Sequence, residues 1–333
     1  MEIAVVILNW NGRKLLEKFL PSIVQYSSNA SIYVADNAST DDSISFIRMN
    51  FPSINIVKNK ENGGFSKGYN NALKHINASI YALVNSDVEV SENWLEPMLA
   101  EFKKNSNTAI IQPKILDYKD QKQFEYAGAA GGFLDALGYP YCRGRIFNSL
   151  EKDKGQYDDI IDINWASGAC FLIRSEVYHK LNGFDEDYFS HQEEIDLCWR
   201  TSNMGYMIKY IGNSKVYHVG GATLSEANSY KTFLNFRNSL YSLVKNLPSN
   251  KILLFVFFRM ILDAIAGIRF TLQGRPIHMI AIVKSHISFY SNLKKTIAKR
   301  SFKNNNRKYY STNSIVWSHF ILNIRHAKKL KNI

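Results

Sequence analysis

Three cysteines in 333 residues, with no CxxC pair among them, leave one unmatched however they are joined. Neither a disulfide framework nor a zinc site is therefore indicated. Long hydrophobic runs are also missing. A bilayer-spanning helix needs about 20 apolar residues, and the best candidate, residues 252–270, is interrupted by Arg259, Asp263 and Arg269, which would sit at costly depths in a spanning helix. No basic leader or cleavage site precedes the first apolar run, which begins at Ile3. The expectation is a protein of a reducing cytoplasm. Acids are nearly absent from the last third: residues 231–333 hold 19 Lys and Arg against one acid, Asp263, a balance of +18. Residues 1–230 hold 22 Lys and Arg against 28 Asp and Glu, a balance of −6.

An acidic body thus carries a basic tail. Such a tail suits nucleic acid or an anionic membrane. The apolar 252–270 segment inside it favours the membrane, as an interfacial helix with Lys and Arg at the headgroups and Phe, Leu and Ile below. The plainer alternative is a helix packed on the body with a solvated basic face. Nucleic acid is not expected as a partner. The expected placement is peripheral, on the cytoplasmic face of the inner membrane.

With 46% hydrophobic and 21% charged residues, the composition is that of a globular protein. Short apolar runs at 3–8, 32–35, 54–57, 80–84 and 108–111 alternate with helical patterns near 13–26, 41–50, 66–76 and 92–104. Alternation of this kind predicts stacked βαβ units and a mostly parallel, mixed α/β sheet of Rossmann type with flanking helices. Residues 117–160 lack periodicity and read as an excursion, a hairpin and a mobile loop hinged at Gly128–Gly132 and Gly138–Gly144. The pattern resumes with a strand over 163–174, a helix from Ser175 and another over 192–204. Asn304–Lys308 reads as a linker before a last short helix. The expected organisation is a domain over 1–240, divided into halves 1–115 and 116–240, followed by a basic amphipathic helical region over 241–333. There is no internal repeat or low-complexity tract.

Several strands end in polar residues. Asn9 and Asn11 follow the first, Asp36, Asn37 and Ser39 the second, and Asn85-Ser86-Asp87 the fourth; Asn62-Gly63-Gly64 opens a helix that also carries Lys67 and Asn71. In open α/β sheets the ligand sits beyond the carboxyl ends of the strands, so these ends imply one shared site. Asp36 can accept hydrogen bonds from a pyrimidine N–H or ribose hydroxyls, although Asp36 and Ser39 also suit a helix cap. Gly63-Gly64 allow close backbone approach by an anion, and Lys67 either touches phosphate or faces solvent. Mg²⁺ and Mn²⁺ favour carboxylate and phosphate oxygens with water, so a single strand-end carboxylate such as Asp87 suffices. Glu89, two residues on, shares its strand face.

Farther along come Phe189-Ser190-His191-Gln192-Glu193-Glu194-Ile195-Asp196-Leu197-Cys198-Trp199-Arg200 and Tyr217-His218-Val219-Gly220-Gly221. The whole series, in this order over roughly residues 3–240, resembles the family 2 glycosyltransferases and, within them, the rhamnosyltransferase-like branch. The resemblance implies a GT-A-like fold and an inverting transfer in cell-surface polysaccharide synthesis. The donor it implies is a UDP- or dTDP-linked sugar, and the acceptor a saccharide or lipid-linked saccharide. It assigns Asn9, Asn11 and Asp36 to the nucleotide, and places Asp87 where the metal-binding Asp-x-Asp ends. Asn85 replaces the first Asp of that triplet. His218 matches the histidine that completes the metal or diphosphate site, against its reading as a structural histidine. Glu193-Glu194 matches the family's Glu-Asp pair, whose second member is the catalytic base. Glu194 is thus the expected base, with Glu193 or Asp196 anchoring the segment near Arg200. Trp165 through Ala169 resembles the small-residue turn beneath the sugars: Gly168 and Ala169 would approach the substrate, and Trp165 either stacks on a pyranose or belongs to the core.

Two rival functions fit the chain less well. A nucleotidyltransferase acting on sugar phosphates should carry a Gly-rich, Arg- or Lys-containing loop after its first strand, which Asn9-Trp10-Asn11-Gly12 lacks. A non-catalytic, membrane-associated nucleotide-sugar-binding protein leaves Asp87 and Glu193-Glu194 without purpose.

Overall fold

The computed structural model describes residues 1–220, 228–300 and 308–330. Strands β1 (Ile3–Asn9), β2 (Ser31–Asp36), β3 (Asn55–Lys58) and β4 (Ile80–Asn85) alternate with helices α1 (Arg13–Tyr26), α2 (Ser43–Asn50) and α3 (Gly64–Leu73). Short strand β5 (Val88–Val90), helix α4 (Glu96–Lys104) and the long β6 (Thr108–Asp117) follow. A second, four-stranded antiparallel sheet comprises β7 (Gly132–Leu134), β8 (Pro140–Cys142), β9 (Arg145–Ile146) and β10 (Ser149–Leu150). The main sheet is completed by β11 (Ile160–Asp162), β12 (Cys170–Arg174) and β13 (Met207–His218), with α5 (Ser175–Lys180) and α6 (Glu193–Asn203) between the last two. Its order is β11-β13-β6-β12-β4-β1-β2-β3, with β5 added beside β13.

The half containing β3, β2, β1 and β4 is parallel, and the sheet turns antiparallel on entering β12. Alternate residues of β1 feed two cores: Val5 and Ile7 meet Leu16, Leu20 and Ile23 of α1, whereas Ala4 and Val6 meet Tyr69 and Leu73 of α3. Burial on both faces is why β1 reads as an unbroken apolar run. Parallel register sets Asn9 beside Asp36 and Leu8 beside Asn85, so the polar ends line up.

Three stretches differ from their sequence reading. Strand β6 runs six residues past Ile111, through Pro113, which lies where the ladder with β13 shifts register between Ile211 and Lys215; a bulge tolerates the missing N–H. Lys114 within it is buried between Asp153 and Asp158. The expected strand over 163–174 begins only at Cys170, because Ala166–Ala169 turn beneath the sheet end, with the Ser167 N–H donating to Gln112 Oε1 at 2.8 Å. The excursion over 117–160 contains the small four-stranded sheet rather than a lone hairpin.

Helices α7 (Ser229–Asn246), α8 (Ser249–Leu272), α9 (Pro276–Ser291), α10 (Leu293–Ala298) and α11 (Ile315–Phe320) close the chain. The expected boundary at 240/241 falls inside α7, and Asn304–Arg307 of the expected linker lie outside the described residues. These helices are tied into the body by buried charge: Lys245 of α7 donates to Asp185 (2.7 Å) and Asp196 (2.8 Å), and Lys299 reaches Asp185 and Asp187.

The polarity of α8 is reversed. Arg259, Asp263 and Gly267, at i, i+4 and i+8, are its buried residues, whereas Leu253 and Leu272 are 85% and 83% exposed. Arg259 donates to Leu137 O and Ser239 Oγ and stacks on Tyr139, and Asp263 accepts from Tyr139 and meets His286. Arg259 and Asp263 thus turn inward because the protein body offers them partners, and Arg259 does not reach toward headgroups as the sequence suggested. Among the described residues, no helix is long and apolar enough to cross a membrane.

Candidate active site

At the carboxyl edge of the parallel strands, Asn9 Nδ2 donates to Asp36 Oδ1 (3.2 Å) and Ser39 Oγ (3.1 Å). Asn11 Oδ1 accepts from the Thr40 N–H (2.8 Å), and the Ser39 N–H donates to Asp36 Oδ2 (3.1 Å). Neither Asp36 nor Ser39 caps α2, whose first residue follows Asp42; they order the turn before it, and Asn9 Oδ1 beside them is buried without a partner. Asn37 Nδ2 donates to Asn62 Oδ1 and Gly64 O, while Asn62 Oδ1 also accepts the Gly64 N–H. Gly64 has φ +71°, and a side chain there would strike Phe189, so only glycine fits.

Two members of the expected set stand apart. Lys67 pairs with Glu61 at the surface. Asn71 lies two turns into α3, where its amide oxygen accepts from Lys74. The adjacent Asn70 is the engaged residue, bonding Phe184 N and O and the Tyr178 hydroxyl.

The Asn85-Ser86-Asp87 turn links β4 to β5, and the Asn85 N–H donates to Ala169 O (2.9 Å). Pairing of β5 with the end of β13 brings Asp87 Oδ1 to 3.2 Å from His218 Nε2, and Glu125 Oε1 lies 3.5 Å from His218 Nδ1. Burial opposes a charge on His218, but the Asp87 and Glu125 carboxylates prevail and push its pKa up to about 10. Asp87 and His218 thus sit together, with Glu125 a partner that sequence spacing did not reveal. Among the described residues, no group of three or more His, Cys, Asp or Glu side chains is arranged to hold a metal ion. A divalent ion here would depend on donor phosphate oxygens and water to complete its shell. Mg²⁺ typically has such a shell, one or two carboxylates serving as protein ligands. Asp87 supplies the carboxylate of such a shell; His218 adds a ligand only once its ring has lost a proton, because the two carboxylates beside it favour the charged form.

Glu193 and Glu194 occupy the first turn of α6. Glu193 is buried, and both residues leave one carboxylate oxygen buried and unpartnered. Burial, and then the charge of Glu194, hold the Glu193 pKa well above the usual carboxylate range. Burial pushes Glu194 up to about 7, against backbone N–H groups that favour its charged form, including that of Gly168. A Cβ at Gly168 would lie 3.9 Å from the Glu194 carboxyl carbon and 3.3 Å from Phe65. Gly168-Ala169 therefore bridge the two acidic elements, with Glu194 on one side and the Asn85-Ser86-Asp87 turn on the other.

Asp196, grouped with the catalytic acids on sequence, is wholly buried and has a structural task. Burial alone would raise its pKa, but Lys245 and Arg200 hold it well below the usual range. Asp196 is the anchor near Arg200; Glu193 makes no ion pair there. Trp165 belongs to the core, its indole N–H donating to Phe133 O (2.9 Å) with its ring against Gly132. Besides Asn70 and Glu125, two more residues had no role assigned on sequence. Trp10 is 51% exposed between Asn9 and Asn11, and His191, just before the acidic pair, has an unpartnered buried Nε2. Burial lowers the His191 pKa to about 4, so its ring is neutral at pH 7.

Residues 4–181 match the family model described as Glycosyl transferase family 2. The chain is 22% identical over 231 residues to an N-acetylglucosaminyl-diphospho-decaprenol L-rhamnosyltransferase of Mycobacterium tuberculosis, covering 64% of this chain and 75% of that one. Among solved structures it is similar to the mannosyltransferase PcManGT from Pyrobaculum calidifontis in complex with GDP-Man and Mn²⁺, with TM-score 0.53, 15% identity and coverage of 90% and 83%. It is also similar to S. aureus TarS 1–349 in complex with UDP-GlcNAc, with TM-score 0.56, 14% identity and coverage of 90% and 84%. These likenesses establish the GT-A fold.

Proposed function

The chain belongs to glycosyl transferase family 2, and from that premise we propose an inverting transfer of a hexosyl or deoxyhexosyl group from a UDP- or dTDP-linked sugar to a saccharide or lipid-linked saccharide. The observation that carries this reading is Glu194, a carboxylate with a pKa raised to about 7, beside the Gly168-Ala169 turn that abuts Asn85-Ser86-Asp87. Asn9, Asn11, Asp36, Asn37 and Ser39 hold the nucleoside, and the Gly63-Gly64 turn admits its diphosphate. Asp87 would hold Mg²⁺ or Mn²⁺, joined by His218 once its ring is deprotonated, and the ion would supply charge stabilisation to the departing diphosphate. Glu194 takes the proton from the acceptor hydroxyl. The acceptor oxygen forms its bond to the anomeric carbon from the face opposite the diphosphate, and the electron pair of the broken C–O bond leaves with the nucleotide. Burial and its neighbour both disfavour a charge on Glu193, and Glu194 is the group assigned the proton transfer.

A panel of UDP- and dTDP-linked hexoses and deoxyhexoses, assayed for hydrolysis and transfer by the purified protein, tests this reading. A base must be unprotonated to act, so the rate on the best donor should fall as pH drops through about 7 and level off above it. A rate that does not change between pH 5.5 and 8.5 would remove Glu194 as base.

The outward face of α8 and α9 supports a membrane-proximal acceptor. Phe257, Ile261 and Ile265 of α8 and Ile280, Val283 and Ile287 of α9 are exposed together on a region of charge +18. Exposed apolar surface rimmed by basic residues suits an anionic bilayer surface, here the cytoplasmic face of the inner membrane. Truncation at 245 is a poor test, because Lys245 and Asn246 bind Asp196. Combined Phe257→Glu, Ile261→Glu and Ile265→Glu should instead reduce co-sedimentation with phosphatidylglycerol vesicles at least about tenfold at unchanged melting temperature, since each buried CH₂ contributes about 0.8 kcal/mol. Failure of the wild type to bind these vesicles at low salt would refute the membrane assignment.

A further inference from the structure

Residues 188–192 lead from the short turn Glu186–Tyr188 into α6, and three of them have left-handed backbone: Phe189 (φ 62°), His191 (φ 67°) and Gln192 (φ 73°). Left-handed geometry is uncommon for non-glycine residues, and a segment holding three in four positions needs outside restraint. Phe189 O accepts from the Phe65 N–H (3.1 Å) at the start of α3. Three further carbonyls turn to one side chain on α7, while Gln192 O accepts from the Asp196 N–H. Asn238 Nδ2 lies 3.1 Å from Tyr188 O, 3.0 Å from Ser190 O and 2.8 Å from His191 O. Asn238 is wholly buried, and its Oδ1 accepts from Arg237 Nε at 2.9 Å, which points the NH₂ group at the loop. Arg237 Nη2 adds a bond to Asp187 O at 3.0 Å.

We infer that Asn238, 44 residues beyond Glu194, is a positioning residue for Glu194. The inference rests on the reading of Glu194 as base. Asn238 gathers the carbonyls of the segment that launches α6 and so fixes where the first turn of that helix, with Glu193 and Glu194, stands against Gly168. In this arrangement α7 serves the chemistry as well as the core. Without the amide donor, the left-handed segment relaxes and Glu194 moves from its position. Reacting groups displaced by about 1 Å lose on the order of 10² in rate.

The test uses the full-length protein with the best-hydrolysed member of the UDP- and dTDP-sugar panel. Asn238→Asp keeps the shape but replaces the donor with an oxygen facing carbonyls; Asn238→Ala removes it. Both should lower kcat at least about tenfold with donor KM within about twofold, and should move the inflection of the pH–rate profile below about 7 as Glu194 becomes more solvated. Arg237→Ala, which frees the amide to rotate, should show the same split to a smaller degree and serves if the Asn238 variants do not fold. Leu240→Ala, a core substitution on the same helix, sets the comparison: it lowers the melting temperature but leaves the pH inflection in place. If the folded Asn238 variants, or Arg237→Ala in their stead, lose only stability in the manner of Leu240→Ala, the inference fails. If Glu194→Gln itself retains turnover, the base assignment fails first.

Discussion

Glu194→Gln is expected to lower turnover by about 10²–10⁴-fold while donor affinity stays nearly unchanged, because general-base catalysis contributes on that order without holding the donor. Glutamine preserves size and hydrogen-bonding capacity but cannot take the acceptor proton. The position supports the effect: Glu194 stands in the first turn of α6 with one carboxylate oxygen unpartnered and its pKa pushed up to about 7 by burial. Glu193→Gln should cost less, since burial and the neighbouring Glu194 already disfavour the charged form of Glu193. The comparison is made with kcat and KM for each variant and with calorimetric titration of the nucleotide. Loss of turnover in Glu193→Gln but not in Glu194→Gln would exchange the roles of the two acids. Loss of nucleotide binding in both would make them builders of the site.

Asp87→Ala should abolish transfer and remove most of the Mg²⁺- or Mn²⁺-dependent gain in nucleotide-sugar affinity. A site with few protein ligands loses much when its carboxylate goes, and water replaces it poorly. Asp87 is also the side chain that meets His218 Nε2 at 3.2 Å, so the variant leaves the imidazole with Glu125 alone. Titration of UDP and dTDP with and without Mn²⁺ separates the metal-linked contribution from the nucleoside contacts at Asn9 and Asp36. Full activity in Asp87→Ala, or in the wild type with excess chelator, would remove the metal from the mechanism.

The parallel half of the sheet was legible in the sequence because each signal there is local. An apolar run, a polar end residue and a following helix occupy fewer than 30 consecutive residues, and parallel register then brings Asn9 and Asp36 together automatically. The acidic pair at the head of α6 was legible through its resemblance to the family's Glu-Asp pair. Signals that depend on distant partners were hidden. Asn70 and Asn71 are neighbours about 100° apart on a helix, and nothing local says that Asn70 is the one turned toward residues 178–186. The anchor near Arg200 stayed open between Glu193 and Asp196 until Lys245, 49 residues away, claimed Asp196. Trp165 has equal local claims as a sugar platform and as a core residue; its bond to Phe133 O decides for the core.

The C-terminal helices show the limit of composition most clearly. Charge counting found a basic tail and an apolar segment but could not tell which way Arg259 and Asp263 face. Their i, i+4 spacing, extended to Gly267, was the available signal for a buried stripe, and it acquires meaning only through Tyr139, Ser239 and His286 on other elements. The exposed side of α8 then becomes more apolar than the sequence average suggests, which strengthens the case for lipid contact.

The stereochemistry of transfer tests the central claim most directly. Proton NMR of the anomeric position, recorded early in the reaction of the best donor before the free sugar equilibrates, reads the configuration of the first product. A base at Glu194 that delivers the acceptor oxygen from the face opposite the diphosphate predicts inverted configuration, with the signal lost in Glu194→Gln. Retained configuration, or an inverted product formed at the wild-type rate by Glu194→Gln, would contradict this account of the site.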